Sequence, residues 1–323
     1  MDISQFSKQI SEYTVQKIPY FFLIDFELKR PMVCKLEEAE KNGILYNFKG
    51  KTNANEQIQI PKPELTYTAI DKKNYFKKIY TVIEELNNGN SFLLNLTFPT
   101  PIDCNLSLKE IFYASQAPYK LCLKDDFVVF SPESFVQIKG NQISTFPMKG
   151  TIDAEIPEAE KILLENEKEA WEHHTIVDLM RNDLSMIAEK VRVNRFRYIE
   201  KIKTHKGEIL QTSSAVSGNL KEGWENDFGE NLLKILPAGS VSGAPKKKTV
   251  EIIQSVEDVP RGYYTGIFGW FDGENLDSAV AIRFIEKQGE QLYFKSGGGI
   301  TANSDPQKEY DELIQKIYLP VPA

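Results

Sequence analysis

The chain has 323 residues, of which 41% are apolar and 26% are charged, and its formal net charge at pH 7 is −7. These values are ordinary for a globular protein with a sizeable core, and the acidic balance disfavours nucleic acid or an anionic membrane as partner. The most apolar early run, Tyr20–Ile24, is too short to span a membrane, and the N-terminus lacks a signal-peptide layout. The cysteines at positions 34, 104 and 122 lack metal-ligand spacing and fit a reducing cytoplasm.

Short apolar stretches bounded by turn residues predict strands, and longer stretches with helical periodicity predict helices. The predicted strands are Tyr20–Asp25, Ser91–Leu96, Phe127–Phe130, Phe135–Ile138, Gly266–Phe271, Ala279–Phe284 and Gln291–Lys295. The predicted helices are Asp71–Asn87, Pro157–Lys190, Ala244–Ser255 and Pro306–Tyr318. Short turns at 139–141 and 272–274 join successive strands, which favours large, mostly antiparallel sheets with surrounding helices and therefore an α+β fold.

The sequence contains no low-complexity segment, internal repeat or long linker that would mark a domain boundary. We therefore expect a single domain over residues 1–323, with a smaller N-terminal lobe over about 1–63 and a core over about 64–323. No stretch matches the glycine fingerprint of dinucleotide-binding folds, so nicotinamide chemistry has no support.

Two Glu-x-x-Glu pairs lie on predicted helices. Glu169 and Glu172 share one side of the predicted helix Pro157–Lys190. Glu309 and Glu312 share one side of the predicted helix Pro306–Tyr318, for which Asp305 is a suitable N-cap. Each pair alone is typical of a solvated helix face. The two pairs together could converge on one hard cation, because Mg²⁺ binds carboxylate oxygens and keeps several waters. The periodicity permits such a site but does not require it.

Two glycine-containing segments are candidates for anion binding. The first, 237–246, contains Ser240 and leads into a predicted helix whose backbone N–H groups could receive a carboxylate. The second contains Gly297, Gly298 and Gly299, which would let a ligand approach the main chain because glycine has no Cβ. Either segment could equally be a plain turn.

Three single charged residues could carry chemistry. Arg283 lies on a predicted strand and needs an anionic partner, which could be a substrate carboxylate or a structural one. Lys149 lies in a Pro-x-Lys-Gly turn, and if that turn faces a cavity, burial and positive neighbours would lower its pKa and make it a nucleophile. Glu133, at the start of a strand, could protonate a leaving hydroxyl if burial raises its pKa. Exposed surface positions are the alternative for Lys149 and Glu133.

The order of these segments resembles the chorismate-binding catalytic domain of anthranilate, aminodeoxychorismate, isochorismate and salicylate synthases. The resemblance extends from near Asn90 to Lys316 and implies the fold of anthranilate synthase component I. The segments that carry it are Ser131–Phe135, Pro147–Thr151, Asn166–Glu169, Glu172-His173, Ile176–Asp183, His205, Pro237–Lys246, Arg261–Gly266, Val280–Arg283, Gly297–Ile300 and Asp305–Glu312.

The resemblance implies a role for each candidate residue. Lys149 would add to C2 of chorismate, Glu133 would protonate the departing C4 hydroxyl, and His205 would lie near the leaving group or the ring. The implied Mg²⁺ ligands, which would hold the ring carboxylate through the metal, are Glu172 and Glu312 with Glu169 and Glu309 in support. The implied substrate-binding residues are Arg283, Tyr264, Gly297, Gly298, Gly299, Lys316, Thr151 and Ser240.

Position 149 helps to separate the branches of this family, because aminodeoxychorismate synthases commonly carry lysine there and anthranilate synthases carry alanine. Lys149 therefore implies amination of chorismate at C4, with ammonia from a separate glutamine amidotransferase subunit, since this sequence lacks a Gly-x-Cys-x-Gly nucleophile. The segment 89–97 lacks the lysine with which isochorismate and salicylate enzymes activate water. Leu93 replaces the glutamine of many amine-using relatives.

Two other functions remain open on the sequence. The first is that of anthranilate synthase component I, which uses the same substrate and metal. The second is a catalytically silent subunit that binds chorismate and tethers an amidotransferase. The short N-terminal lobe also leaves open whether a tryptophan-binding site, present in longer relatives, survives here.

Overall fold

The computed structural model describes residues 1–204 and 207–321 of the chain. Its helices in these ranges are α1 (Ile3–Val15), α2 (Lys72–Asn87), α3 (Leu108–Ala114), α4 (Ala159–Glu165), α5 (Glu167–Ser185), α6 (Phe228–Lys234), α7 (Gly239–Ser242), α8 (Lys246–Val256) and α9 (Pro306–Gln315). Its strands are β1 (Tyr20–Ile24), β2 (Met32–Lys35), β3 (Ile44–Phe48), β4 (Lys51–Thr52), β5 (Leu65–Tyr67), β6 (Leu93–Cys104), β7 (Tyr119–Leu123), β8 (Phe127–Ser131), β9 (Ser134–Lys139), β10 (Gln142–Thr145), β11 (Met148–Asp153), β12 (Ala188–Thr204), β13 (Gly207–Leu220), β14 (Gly243–Ala244), β15 (Ile267–Phe271), β16 (Asn275–Val280), β17 (Phe284–Gln288) and β18 (Gln291–Ile300).

The strands form two antiparallel sheets. The first has the order β11-β13-β10-β9-β16-β15-β1-β2, with β12 also paired to β13. The second has the order β14-β6-β18-β17-β8-β7-β3-β4, with β5 also paired to β6. The prediction of an α+β fold with large antiparallel sheets and surrounding helices is confirmed.

One core cluster lies between the two sheets and another lies on the opposite face of the first sheet, and β1 shows why the sequence folds this way. All five residues of β1 are buried, because the strand has apolar layers on both faces. Phe21 and Leu23 pack into the cluster between the sheets, whereas Phe22 packs into a second cluster that includes residues of α1 and α6. Since β1–β2 join the first sheet and β3–β4 join the second, residues before 63 contribute to both sheets. The single-domain assignment stays a prediction.

The segment from Ala279 to Phe284, predicted as one strand, is two strands of different sheets. β16 ends at Val280 in the first sheet, and β17 begins at Phe284 in the second. Arg283 lies at this junction with a φ of +54°, so the prediction that it is a strand residue is wrong. The reason is that the chain must turn sharply to leave one sheet and enter the other. Arg283 therefore lies where the chain crosses from the first sheet to the second.

The predicted helix Pro157–Lys190 is also wrong in its bounds. The structure divides it at Asn166, whose extended backbone ends α4 and whose side chain accepts a hydrogen bond of 3.0 Å from the Glu169 N–H to cap α5. α5 ends at Ser185, and the chain continues into the long hairpin of β12 and β13, which the sequence does not predict. β12 is dense in charged residues, so its apolar alternation is weak. Register shifts interrupt its pairing with β13 three times.

Gly229 provides a test of the packing between α1 and α6. A Cβ at this position would lie 1.9 Å from the backbone oxygen of Ser7, so the two helices can approach only because residue 229 is glycine. We expect Gly229→Ala to lower the free energy of unfolding by about 2 kcal/mol, because the helices must separate. Urea denaturation would measure this loss. Glu230→Ala, at the exposed neighbouring position, is the control and should change stability little, and an equal loss in both variants would contradict the packing argument.

Candidate active site

A pocket of about 410 Å³ brings together most of the residues that the sequence singles out. We call it the carboxylate pocket, and it is lined by Lys149, Gly150, Thr151, Glu169, Glu172, Arg283, Gly299, Glu309, Glu312, Gln315, Lys316 and Tyr318. β11 supplies the residues from 149 to 151, α5 supplies 169 and 172, and α9 supplies 309 and 312. The sheet junction, β18 and the C-cap of α9 supply the rest of the wall that the sequence predicts, at positions 283, 299 and 316.

The two glutamate pairs face the same pocket because each occupies one side of its helix, as predicted. The helix α9 begins at Pro306 and is capped by the Asp305 side chain, which accepts from the Gln307 and Lys308 N–H groups. Glu172 and Glu309 are buried, and Glu309 accepts a hydrogen bond of 2.8 Å from the Ser304 hydroxyl.

Two lysines pair with glutamates inside the pocket. The distance from Lys149 Nζ to Glu172 Oε2 is 2.6 Å, and that from Lys316 Nζ to Glu312 Oε1 is 2.8 Å. Lys316 Nζ also donates to the backbone oxygen of Gly297, at 2.7 Å. The pocket therefore holds cations and carboxylates side by side, which suits a substrate with carboxylate and hydroxyl groups.

The pKa of Lys149 does not follow the sequence-based expectation. Burial acts to lower this pKa, but the nearby carboxylates of Glu172, Glu169 and Glu312 outweigh it, so the pKa of Lys149 is raised. The sequence-based prediction is therefore wrong, because the carboxylates lie closer to Lys149 than its positive neighbours do. The lowered pKa belongs instead to Lys316, for which burial outweighs the attraction of Glu312.

Glu133 has the environment that its predicted role requires. Burial raises the pKa of its carboxyl group, and this effect is only partly offset by the hydrogen bond from Ser240 and by the charges of Arg283 and Lys149. The Ser240 hydroxyl donates directly to Glu133 Oε1. The structure therefore places Ser240 against the predicted acid, although neither residue is in the lining of the carboxylate pocket.

The remaining predicted substrate-binding residues occupy different positions. A Cβ at Gly298 would lie 3.6 Å from Glu309 Oε2, so Gly298 lies close to a pocket residue without being part of the lining. A Cβ at Gly297 would lie 2.7 Å from the backbone oxygen of Leu96, so this glycine is required for close strand packing. Tyr264 is buried in the core, with its ring 5.8 Å from that of Phe284. His205 lies outside the described residues.

Leu93 packs between α5 and the pocket residue Gly299. Its side chain is buried against Ile176, Leu179 and Met180 of α5. A Cβ at Gly299 would lie 3.2 Å from Leu93 Cδ1 and 3.7 Å from Lys149 Nζ. The apolar residue at this position therefore packs beneath the glycine strand and helps to set the distance between β18 and α5.

The structure also shows site residues that the sequence analysis missed. Gly150, Gln315 and Tyr318 line the pocket, and the Arg283 guanidinium lies 5.7 Å from the centre of the Tyr318 ring. Burial lowers the pKa of His173 to about 4, and its Nε2 is 2.6 Å from the Ser214 hydroxyl. The adjacency of His173 to Glu172 was the available signal, but the pairing with Ser214 depends on a hairpin that was not predicted.

The donor chemistry of the pocket fits the magnesium ion that the resemblance implies. Glu169, Glu172, Glu309 and Glu312 offer only carboxylate oxygens, which Mg²⁺ prefers, and among the described residues no thiolate or imidazole lines the pocket. Within residues 1–204 and 207–321, however, no three acidic, histidine or cysteine side chains are already grouped as metal ligands. Magnesium binding therefore stays a prediction.

A second cavity of about 450 Å³ adjoins the carboxylate pocket. We call it the side cavity, and its lining consists of Leu86, Ser91, Phe92, Trp171, Glu172, Thr301, Ala302 and Asn303. Glu172 lines both spaces. Phe92 and Trp171 are 60% and 50% exposed, so two aromatic rings stand at the protein surface beside a cavity that reaches a buried carboxylate.

Comparison with known proteins agrees with this geometry. The family model described as chorismate binding enzyme matches residues 25–321. An uncharacterized PabA-like protein of Pasteurella multocida is 56% identical over 323 residues, covering 99% of this chain and 100% of that protein. Aminodeoxychorismate synthase component 1 of Bacillus subtilis is 32% identical over 262 residues, covering 76% of this chain and 54% of that protein.

A solved structure shows the same fold. The crystal structure of anthranilate synthase component I from Streptococcus pneumoniae matches with a TM-score of 0.68 and 28% sequence identity. The match covers 81% of this chain and 60% of that chain. No helix in the described ranges is both long and apolar enough to cross a bilayer.

The raised pKa of Glu133 predicts how its substitution changes stability with pH. A carboxyl whose pKa is raised in the folded state contributes stability while it is protonated, and this contribution is lost as the pH rises through the pKa of the folded state. We therefore expect the stability of Glu133→Gln to increase relative to that of the unsubstituted protein as the pH rises. Urea denaturation over a pH series would measure the difference. A difference that is constant with pH would show that the Glu133 pKa is unshifted.

Proposed function

The chain belongs to the chorismate-binding enzyme family, and we propose that it converts chorismate and ammonia to 4-amino-4-deoxychorismate. The observation that carries this proposal is Lys149, an amine that projects into the carboxylate pocket beside Glu172 and within the field of Glu133. The resemblance links a lysine at this position to amination at C4. The similarity to aminodeoxychorismate synthase component 1 of Bacillus subtilis supports the same branch.

The pocket offers complementary groups for a dicarboxylate substrate. We propose that Arg283 binds the enolpyruvyl carboxylate, because its guanidinium lines the pocket and can bind a carboxylate with two parallel hydrogen bonds. Lys316 is the second cation on the pocket wall. The glutamates 169, 172, 309 and 312 would hold magnesium, which would supply positive charge for the ring carboxylate when bound.

The proposed reaction consists of two allylic displacements. Lys149 first loses a proton to solvent, since only its free amine is a nucleophile, and its ion pair with Glu172 at 2.6 Å raises the pH that this loss requires. The free amine then bonds to C2 while the ring double bond shifts, and the C4 hydroxyl leaves as water with a proton from Glu133. Ammonia next bonds to C4, the double bond shifts back, and the C2 bond to Lys149 breaks. Glu133 is suited to the first step because burial keeps its proton at a higher pH than usual.

The nitrogen source is part of the proposal. This sequence has no cysteine in a Gly-x-Cys-x-Gly context, so we propose that a separate glutamine amidotransferase subunit supplies ammonia in the cytoplasm. The side cavity offers an entrance for ammonia, because it reaches Glu172 from a surface flanked by Phe92 and Trp171.

Product identification tests the proposal directly. The purified chain would be incubated with chorismate, magnesium and an ammonium salt at mildly alkaline pH, and the products would be identified by mass spectrometry. 4-Amino-4-deoxychorismate supports the proposed function. Anthranilate with pyruvate would assign the chain to the other aminating branch. If no product forms even with an amidotransferase present, the result contradicts the proposed function and favours the alternative of a silent chorismate-binding subunit.

Lys149→Ala tests the covalent step. We expect loss of at least about 100-fold in kcat, because the variant lacks the nucleophile, while chorismate binding is largely retained. Steady-state kinetics and a binding titration would separate the two effects. Lys161→Ala removes an exposed lysine of α4 and is the control. Unchanged turnover in Lys149→Ala would rule out the covalent route.

Glu312→Gln tests the metal assignment. A neutral amide is a poorer ligand for a hard cation, so we expect this variant to need more magnesium for half-maximal activity or to lose activity. Activity measured against magnesium concentration would show the change. Asp311→Asn alters the neighbouring exposed carboxylate of α9, which is not in the pocket lining, and is the matched control. Full activity of Glu312→Gln at limiting magnesium would contradict the assignment.

A further inference from the structure

We propose that Arg261 is a positioning residue. It holds the single turn of helix α7 (Gly239–Ser242), called the turn below, in place and, through Ser240, fixes the orientation of Glu133. The inference rests on the proposed function, in which Glu133 donates a proton to the substrate. Arg261 lies outside the carboxylate pocket and cannot itself contact a substrate there. Its importance follows from the contacts of its guanidinium.

The guanidinium of Arg261 is buried and has a hydrogen bond for each N–H donor. Nη1 donates to the backbone oxygen of Val241 at 2.7 Å and to the Thr265 hydroxyl at 3.4 Å. Nη2 donates to the backbone oxygen of Asn95 at 2.5 Å. Nε and Nη2 bind the two carboxylate oxygens of Glu257 at 2.9 and 2.7 Å. One side chain therefore connects three segments that are distant in sequence.

Two of these connections fix Arg261 to the rigid part of the fold. Asn95 belongs to β6, the strand paired along its length with β18. Glu257 also accepts hydrogen bonds of 2.9 Å from the Thr97 N–H and from the Thr97 hydroxyl. The guanidinium carbon lies 4.5 Å from the centre of the Phe26 ring. Arg261 is thus anchored on the second sheet before it contacts the turn.

The third connection reaches Glu133 in two steps. Val241, whose backbone oxygen accepts from Arg261, directly follows Ser240 in the short helix α7. The Ser240 hydroxyl donates to Glu133 Oε1. The charged residues that act on Glu133 are Arg283 and Lys149. Because Ser240 is its direct hydrogen-bond donor, a shift of the turn would change the direction in which the Glu133 carboxyl presents its proton.

Lysine cannot reproduce this arrangement. A guanidinium is planar and offers five N–H donors in a fixed fork, whereas an ammonium group is a compact charge with three donors. Arg261→Lys can keep the charge opposite Glu257 but cannot bind Val241, Asn95 and both oxygens of Glu257 together. The variant therefore separates the positioning role from simple charge neutralisation.

A double-mutant cycle of Arg261→Lys and Ser240→Ala tests the inference. We expect each substitution to lower kcat by about tenfold to a hundredfold, because small displacements of a reacting group are costly, with the KM for chorismate little changed. Each should also raise the pKa of Glu133, since each weakens the hydrogen bond that stabilises its carboxylate. The double variant should lose much less than the sum of the two losses, because both substitutions break the same chain of contacts.

The Glu133 pKa would be followed by NMR titration of ¹³C-labelled glutamate carboxyl groups, with Glu133→Gln identifying the signal. This measurement needs no turnover, so it tests the positioning of Glu133 even if the proposed amination is not observed. Additive losses in the cycle, or an unmoved Glu133 pKa in Arg261→Lys, would overturn the inference.

Two further variants separate the positioning role of Arg261 from a general loss of stability: one is a control, and the other replaces Arg261→Lys if that variant does not fold. Lys78→Met removes another buried cation, which pairs with Asp258 at 2.5 Å and has no bond to the turn, and it should leave the Glu133 pKa unchanged. If Arg261→Lys does not fold, Glu257→Gln replaces it, because it loosens the anchor of Arg261 without touching the turn. We expect a smaller rise of the Glu133 pKa in this variant, and no rise would again contradict the inference.

Discussion

The close approach of cations and carboxylates in one pocket is the constraint on which the rest of this structure depends. Glu172 is buried at 2.6 Å from Lys149 Nζ, and such a carboxylate would be costly without positive charge nearby. Two helices and the first sheet must therefore be held in fixed relative positions, because Lys149 comes from β11, Glu172 from α5 and Glu312 from α9. The same balance of charge that makes the pocket stable makes it suited to a substrate with several oxygens.

The sheet junction at Arg283 explains how this pocket can lie between the sheets. A strand that passes from one sheet to the other must turn, and the residue at the turn has contact with both. Arg261 performs a similar task in the interior, since it links β6 to the turn beside Glu133. Arg261 uses its several donors to connect segments that the backbone alone does not join. The site is therefore assembled by side chains that span elements.

Periodic patterns in the sequence could predict much of this arrangement, and tertiary contacts decided the rest. The glutamates at spacing i, i+3 and the Asp305 cap are local features, so the faces of α5 and α9 could be predicted. The division of the segment from 279 to 284 between two sheets could not, because its apolar run continues through the turn. The direction of the Lys149 pKa shift was mispredicted because it depends on distances to residues on two other elements. Magnesium binding and the role of His205 stay predictions.

The long strand β12 has a consequence for how the protein behaves at high concentration. In the described part of the chain it pairs only with β13, so it forms an edge of the first sheet. An open edge can recruit strands from other molecules and seed aggregation. Here the edge carries Lys190, Arg192, Arg195 and Arg197, and register shifts distort its pairing over the same stretch. Like-charge repulsion and a distorted backbone both oppose edge-to-edge association, so the hairpin protects the sheet against self-assembly.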